Sequence, residues 1–266
     1  MTDIDMASAR GKRALTPLRL AKEATVVAAV IAAVWLVSAG LVNWDFVASV
    51  DLGAIWKYYP ALLRGLMMTV VITGSAIVIA TLIGTTLAIV SQSRSWIVKL
   101  LVTIYVEAFR GVPILIILFW VHFALPRLLG FSMNVITSGL LAMVIQASAY
   151  MTAVMQAGLT TVPKGQSEAA QSLGLSTYLR WRLVVLPQAI RAMLPAITNV
   201  LTSMLKASAA LSALSIPQLW QVAQQIGGYT FKPLEALTIA AILYYLLGKC
   251  VTTGMRVVER RMNHTG

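Results

Sequence analysis

The feature that most constrains the fold is the run 66–90, which contains no charged side chain. A helix needs about 20 mostly apolar residues to cross the hydrocarbon core of a bilayer, so this run is long enough to span one. Charged residues make up only 11% of the chain, against about 25% in a typical soluble domain. Similar stretches complete a set of six predicted spans: 24–42, 66–90, 100–122, 135–157, 188–209 and 235–254. The sequence therefore predicts an all-α integral membrane protein with about six transmembrane helices.

The distribution of lysine and arginine predicts the orientation of these spans. One set of loops comprises the basic N-terminal segment 1–23, the Arg94–Lys99 turn, the stretch 158–187 and the C-terminal tail. The opposite set holds only Lys57, Arg64, Arg127 and Lys232. Because cytoplasmic loops carry the excess of basic residues, we expect both termini and residues 158–187 on the cytoplasmic side. Clustering beside apolar runs also accounts for the net charge of +12 without nucleic-acid binding.

Residues 158–187 interrupt the apolar sequence with a polar, basic stretch. The residues from Glu168 to Leu173 favour a helix, Gly174 permits a turn, and a second helix is predicted to begin near Tyr178. Two interpretations fit this pattern. One is an amphipathic hairpin on the membrane surface, with Trp181 among the lipid headgroups, and the other is a docking surface for a cytoplasmic partner.

The spacing within this stretch resembles a known signature. Glu168-Ala169-Ala170 is followed by Gly174, Val184 and Leu186-Pro187, which resembles the signature of permease subunits in binding-protein-dependent ABC importers. The resemblance implies that these residues form coupling helices that dock into a cleft on a cytoplasmic ATPase subunit. The residues that it assigns to this coupling loop are Lys164, Gly165, Glu168, Ala169, Ala170, Gly174, Leu186 and Pro187.

Further segments are similar to the polar amino acid subgroup of that family, the histidine, glutamine, glutamate and opine type. Glu107-Ala-Phe-Arg110-Gly111-Val-Pro113 resembles its Glu-x-Phe-Arg-Gly-Thr-Pro segment, and Val258-Glu259-Arg260-Arg261 fits its tail. The resemblance covers residues 60–262, the predicted importer transmembrane domain. Residues 24–59 then form an extra N-terminal helix and an outer interfacial segment, which makes six spans where the subgroup usually has five.

The resemblance also implies partners. We expect a dimer of separate ATP-binding subunits, which bind ATP and magnesium, together with an extracytoplasmic solute-binding protein and a second permease subunit in the bacterial inner membrane. A heterodimer of permeases is favoured over a homodimer. The chain itself has no G-x-x-x-x-G-K-[ST] phosphate loop and no catalytic set, so it is predicted to be neither an enzyme nor a cofactor-binding subunit. His122 and His264 are far apart in sequence and predict no metal site.

Two charges within the third span have two possible roles. Glu107 and Arg110 lie three residues apart, so they share a helical face, and intramembrane charges are costly unless paired. The favoured interpretation is an internal ion pair that braces the fold. The alternative is a gate or a contact with another subunit.

The chain departs from the subgroup at positions where a substrate contact is expected. Ala153 and Gln156 stand where the subgroup usually has Glu and Arg, and Leu205-Lys206-Ala207-Ser208 replaces its Leu-Lys-Asp-Thr. A partner permease that holds the substrate, an unusual substrate, or drift at packing positions would each explain the change. Lys206 either extends to the outer interface or attracts a substrate carboxylate. The predicted pathway residues are Tyr150, Gln156, Lys206 and Ser208.

A secondary transporter or channel without an ATPase is the alternative function. Such a protein needs ionisable residues at mid-membrane for its coupling ions, and the spans contain few. An intramembrane enzyme is a third hypothesis, which the lack of a catalytic constellation argues against. The leading prediction is therefore a permease of an ATP-driven importer for polar amino acids or related small solutes.

Overall fold

The computed structural model of the chain describes residues 17–41, 45 and 48–264. Its regular elements are all helical in that part of the chain. The described residues fall into two compact units, one ending at Val50 and the other beginning at Asp51. The predicted all-α class is thus confirmed for the described residues.

The first unit contains helix α1, Pro17–Leu41. Its apolar part, Ala24–Leu36, presents exposed side chains such as Val30 and Trp35, at 56% and 67% exposure. In a bilayer such side chains contact lipid. The predicted first span, 24–42, coincides with this helix except for Val42, which lies outside the described residues, as do residues 1–16 of the predicted basic segment.

The second unit contains nine helices in its described part. In chain order they are α2 Gly53–Trp56, α3 Tyr59–Val90, α4 Trp96–Gly111, α5 Ile114–Leu129, α6 Val135–Thr161, α7 Lys164–Ser172, α8 Thr177–Leu214, α9 Leu219–Thr230 and α10 Pro233–His264. Four of them, α3, α6, α8 and α10, are long and apolar enough to cross a membrane. The pair α4 and α5 makes up to five such spans in this unit.

The third predicted span, 100–122, is not a straight helix. Helices α4 and α5 meet at a bend of 107°, and Val112 between them is extended, with φ −91° and ψ 132°. The cause is Pro113, because a proline disfavours the helical conformation of the preceding residue and donates no hydrogen bond. The carbonyl of Val112 accepts a hydrogen bond from Nε2 of Gln146 on α6, at 2.9 Å. The break is thus held by the neighbouring helix.

Two helices contain a π-helical turn immediately before a Leu-Pro pair. Residues Trp120–Ala124 form such a turn ahead of Pro126 in α5, and Trp181–Val185 form one ahead of Pro187 in α8. A proline ring clashes with the carbonyl four residues earlier in a regular helix, and a wider turn relieves that clash. The π turns therefore let both helices continue through their prolines.

Helix α6 lies at the centre of the second unit. Of its most apolar window, 61% is buried, against 28% for α3 and 17% for α10. Helix α3 packs a stripe of small residues, including Ala76, Ala80 and Gly84, against the main core. Small residues let helices approach closely where lipid provides no hydrophobic drive for association. A second, smaller core joins α2, the start of α3, α9 and α10 around Ile55 and Leu219.

Candidate functional site

The coupling segment, residues 158–187, begins with the last residues of α6 and then forms two helices separated by a glycine turn. Helix α7 ends in a Schellman motif, in which the amide of Leu175 donates to the carbonyl of Ala170 at 3.2 Å and that of Gly174 to Gln171 at 2.9 Å. Gly174 has φ +78°, a conformation that side-chain-bearing residues rarely adopt. The predicted helix, glycine turn and second helix are confirmed.

Side-chain bonds hold the second helix of the segment against the first. The hydroxyl of Ser176 accepts from the amide of Leu179 at 3.4 Å and caps α8. Nη1 of Arg180 donates to Oε1 of Gln171 across the turn, at 2.9 Å. The two short helices are therefore joined by backbone and side-chain bonds. Sequence reasoning found Arg180 only as a charge and missed its partner, because Gln171 has no distinguishing pattern.

The outer surface of the coupling segment combines exposed apolar side chains with a carboxylate. Leu173 is 81% and Tyr178 is 68% exposed, and Glu168 and Ala169 are exposed on α7. Exposed apolar side chains of this kind suit contact either with a partner protein or with lipid headgroups. Gly165 is also exposed, whereas Ala170 is 4% exposed and faces the protein. Lys164 begins α7.

The coupling segment continues directly into a membrane-crossing helix. Pro187 is half-buried and Val185 is buried at the point where the π turn ends. Leu186 lines an apolar cavity of about 440 Å³ together with Ile89 of α3 and Met155 of α6. The segment is thus continuous with α8 at the point where that helix meets the central helices.

The two intramembrane charges of α4 do not form an ion pair in the described chain. The guanidinium of Arg110 lies 5.6 Å from the centroid of the Tyr150 ring, and the Tyr150 hydroxyl donates to the Arg110 carbonyl at 3.3 Å. Glu107 is exposed. The interpretation of Glu107 and Arg110 as an internal pair is not supported by this geometry, since Arg110 contacts an aromatic face. A gate or subunit contact stays a prediction.

The four predicted pathway residues lie in different surroundings. Nε2 of Gln156 donates to the hydroxyl of Ser91 at 2.9 Å, which joins the ends of α6 and α3. Ser208 is 0% exposed and its hydroxyl donates to the Leu205 carbonyl at 2.7 Å. Lys206 is exposed and lines a groove of about 530 Å³ between α8 and α10. Tyr150 contacts Arg110 on α4, so the structure does not bring the four together.

A buried polar residue immediately before α9 joins three helices. Gln218 is 0% exposed. Its Oε1 accepts from the Trp220 amide at 2.7 Å and from the Tyr244 hydroxyl at 3.0 Å, and its Nε2 donates to the Ala209 carbonyl at 3.3 Å. The cluster of glutamines around it was visible in the sequence, but no local pattern distinguishes Gln218 from its exposed neighbours.

Residues 80–264 match the family described as binding-protein-dependent transport system inner membrane component. The chain belongs to this family. Helices α4 to α10, and with them the coupling segment, lie within the matched residues, whereas α1 precedes them. The resemblance carried by Glu168, Gly174 and Pro187 is therefore confirmed at the level of the family, and the chain is a multi-pass membrane permease.

Individual relatives and a solved structure agree with this membership. The arginine transport system permease protein ArtQ of Bacillus subtilis is 32% identical over 216 residues, 80% of this chain and 98% of that protein. The probable amino-acid ABC transporter permease protein YckA of the same organism is 29% identical, over 84% and 97% of the two chains. The crystal structure of an amino acid ABC transporter with histidines has a TM-score of 0.74 and 33% identity, and the match covers 80% of this chain and 99% of that one.

Proposed function

We propose that this chain is the membrane-spanning subunit of an ATP-driven importer for polar amino acids or related small solutes. It forms the translocation pathway with a second permease subunit and couples to a separate ATPase through residues 160–187. The names of the relatives, an arginine transport permease and an amino-acid ABC transporter permease, support the solute class. The solved amino acid transporter of similar fold supports it as well.

The observation that carries this proposal is the geometry of the coupling segment. Its two helices are joined across Gly174 by the Schellman bonds and by the Arg180–Gln171 hydrogen bond. Leu173 and Tyr178 are exposed on its surface. A preformed, partly apolar surface of this kind suits a protein partner, since little ordering entropy is lost on docking. Its direct continuation into α8 gives the partner a means to move a membrane helix.

The remaining partners follow from the same proposal. A dimer of cytoplasmic ATP-binding subunits holds ATP and magnesium, and an extracytoplasmic solute-binding protein delivers the solute. The second permease is a different chain, because Ala153, Gln156 and Ala207 leave this one without three charges of the usual pattern. The excess of basic residues in segment 158–187 and in the tail supports a cytoplasmic location for these two regions and for both termini. The membrane is the bacterial inner membrane.

The proposed cycle is alternating access. When the ATPase dimer closes on ATP, it displaces α7 and the start of α8 as a unit, because the bonds between Arg180 and Gln171 and across Gly174 prevent the two from moving separately. The displacement reaches Leu186 beside α3 and α6. The π turn ahead of Pro187, in which the amide of Leu186 donates to the carbonyl of Trp181 five residues earlier, interrupts the α-helical hydrogen bonding and is a place where α8 can bend.

Reversing the charge of Glu168 tests the coupling role. We expect Glu168→Lys to lower ATP-dependent uptake to background in reconstituted vesicles and to reduce co-purification of the ATPase. Melting temperature and insertion should stay unchanged, because the side chain is exposed. Asp45→Lys, which reverses another exposed carboxylate outside the segment, is the control, and it should retain uptake. Wild-type uptake by an inserted Glu168→Lys complex, or uptake without ATP, contradicts the proposal and favours a secondary transporter or channel.

A further inference from the structure

A groove between α8 and α10 brings together two lysines of membrane-crossing helices. It encloses about 530 Å³, and its lining includes Lys206 and Thr202 of α8 and Tyr244, Tyr245 and Lys249 of α10. Small-molecule sites typically enclose about 300 to 1,000 Å³. The groove is therefore large enough for a small solute, and its polar groups are ammonium and hydroxyl groups.

In the groove, Lys206 lies beside residues from the interior turns of α10. Lys206 shares the groove with Ala241 and Tyr245, which lie about two to three turns into α10, or roughly 12 to 18 Å from its first residue. The hydrocarbon core is about 30 Å thick. The groove thus lies beside the interior turns of α10, a helix long and apolar enough to cross that core.

The two positive charges have no negative partner in the part of the chain that the structure describes. The only charged side chains that line the groove are Lys206 and Lys249. The Lys249 ammonium lies 5.5 Å from the centroid of the Tyr245 ring, and the ion pair found in this unit joins Lys232 to Asp51 elsewhere. An unpaired charge at membrane depth is costly, and such residues usually face a polar cavity and mark a pathway.

We propose that this groove binds the carboxylate groups of an anionic solute, with Lys206 and Lys249 as its charge partners. The proposal rests on the transport function proposed above and names the solute class. Two ammonium groups without a carboxylate between them favour solutes that carry more carboxylates than ammonium groups. An acidic amino acid fits, and a solute with a net positive charge is repelled.

Ligand-dependent melting of the purified permease complex in nanodiscs of phosphatidylcholine tests this proposal. The probes are L-glutamate, L-glutamine and L-arginine, which are similar in size and differ in net charge. We expect glutamate to raise the melting temperature at a concentration at least tenfold below that needed for glutamine, and arginine to have no effect. Lys206→Gln and Lys249→Gln should each raise the required glutamate concentration about tenfold. Lys99→Gln, on α4 and outside the groove, is the matched control and should leave it unchanged.

Three outcomes overturn the proposal. One is an equal response, or none, to all three probes. Another is a glutamate response that survives both lysine substitutions. The third is a melting temperature that rises with phosphatidylglycerol in the nanodisc but not with glutamate, and that no longer rises once the lysines are replaced. That result would identify a lipid-phosphate site. Melting needs no ATP hydrolysis, so this proposal can fail while Glu168→Lys still abolishes uptake, and coupling can fail while the groove binds glutamate.

Discussion

Glycine serves opposite purposes in the coupling segment and in the core between α3 and α6. Gly174 has φ +78°, and an added Cβ would meet no heavy atom within 4 Å. Gly84 lies in regular helix α3, and an added Cβ would lie 2.6 Å from Cβ of Met151 and 2.9 Å from the Thr152 amide nitrogen on α6. The segment needs glycine for its backbone conformation, and the core needs it for the approach of two helices. Stability and coupling should therefore be separable by mutation.

The largest effect on stability is expected from Gly84→Ala. The added methyl group contacts the backbone of α6, which cannot move away without repacking the central helix, and overpacking of this kind costs typically about 1 to 3 kcal/mol. We expect the free energy of unfolding to fall by about 3 kcal/mol, and uptake to fall with it. The measurement is the melting temperature of the purified permease alongside vesicle uptake.

Gly158→Ala, at a buried helical glycine near the end of α6, is the matched substitution. Its methyl group would overlap only side-chain atoms of Met193. Methionine adapts easily, and alanine gains about 1 kcal/mol of helix propensity over glycine, so the net loss should be smaller. A Gly84→Ala protein as stable as the wild type would show that α3 and α6 do not depend on this close approach.

The second-largest effect on stability is expected from Gln218→Ala at the junction of α8, α9 and α10. The change removes the partners of the Ala209 carbonyl and the Tyr244 hydroxyl. Leaving buried groups without hydrogen bonds costs about 1 to 3 kcal/mol, so we expect a loss of about 2 kcal/mol in the free energy of unfolding. Thermal melting measures it, and Gln224→Ala, at an exposed position of α9, should be neutral. Equal melting temperatures for Gln218→Ala and Gln224→Ala would show that the hydrogen bonds of Gln218 do not stabilise the junction of the three helices.

Gly174→Val should have a smaller effect on stability and a large one on transport. A left-handed residue with a side chain costs about 1 to 2 kcal/mol, and relaxing that strain breaks the Schellman bonds rather than the membrane core. We expect uptake to fall at least tenfold while the melting temperature changes less than in Gly84→Ala.

Gly174→Asn and Gly254→Ala are the controls for this substitution. Asparagine tolerates the left-handed conformation and should keep most of the uptake. Gly254 lies in α10 with open space around an added Cβ, so its replacement by alanine should leave uptake unchanged and raise the melting temperature slightly through helix propensity. If Gly174→Val transports normally, the turn is not needed for coupling and the contrast between the two regions is lost.

The smallest effect belongs to the exposed ion pair of the second unit, Lys232–Asp51. The hydrogen bond from the Lys232 ammonium, at 3.3 Å, lowers the pKa of Asp51 below its ordinary value of 3.8. A carboxyl with a lowered folded-state pKa stabilises the protein above 3.8, and this contribution is lost as the pH falls through the folded pKa. Exposed pairs contribute little and are screened by salt.

We therefore expect Asp51→Asn to lower the melting temperature slightly at neutral pH and not at all in acid. Melting curves of the variant and the wild type at several pH values check this, and repeating them at about 1 M salt should remove the difference. A large difference that persists in salt would show that the pair is not a surface interaction.

The features that could be predicted from the sequence are those that depend on neighbouring residues. The length of the apolar run 66–90 predicts a spanning helix, and Gly174 between two polar helical segments predicts a turn. The spacing from Glu168 to Pro187 identified the family. The bend at Pro113 also has a local cause, but the predicted span 100–122 runs straight through that proline.

Other features required residues far apart in the chain to meet. Arg110 contacts Tyr150 on another helix and not Glu107 on its own, Gln218 reaches Tyr244, and Lys206 shares a groove with Lys249. Such pairings depend on which helices pack together and at what rotation, and a single sequence carries no local signal for either.

By itself, then, the sequence determined the membrane class, most of the spans and the coupling segment, because hydrophobic length and backbone preference are properties of adjacent residues. Only the tertiary structure decided that Gly84 admits the backbone of α6, that α4 and α5 meet at 107°, and that two lysines line one groove. The physical reason is that packing and burial are set by contacts between helices, and those contacts exist only once the chain has folded.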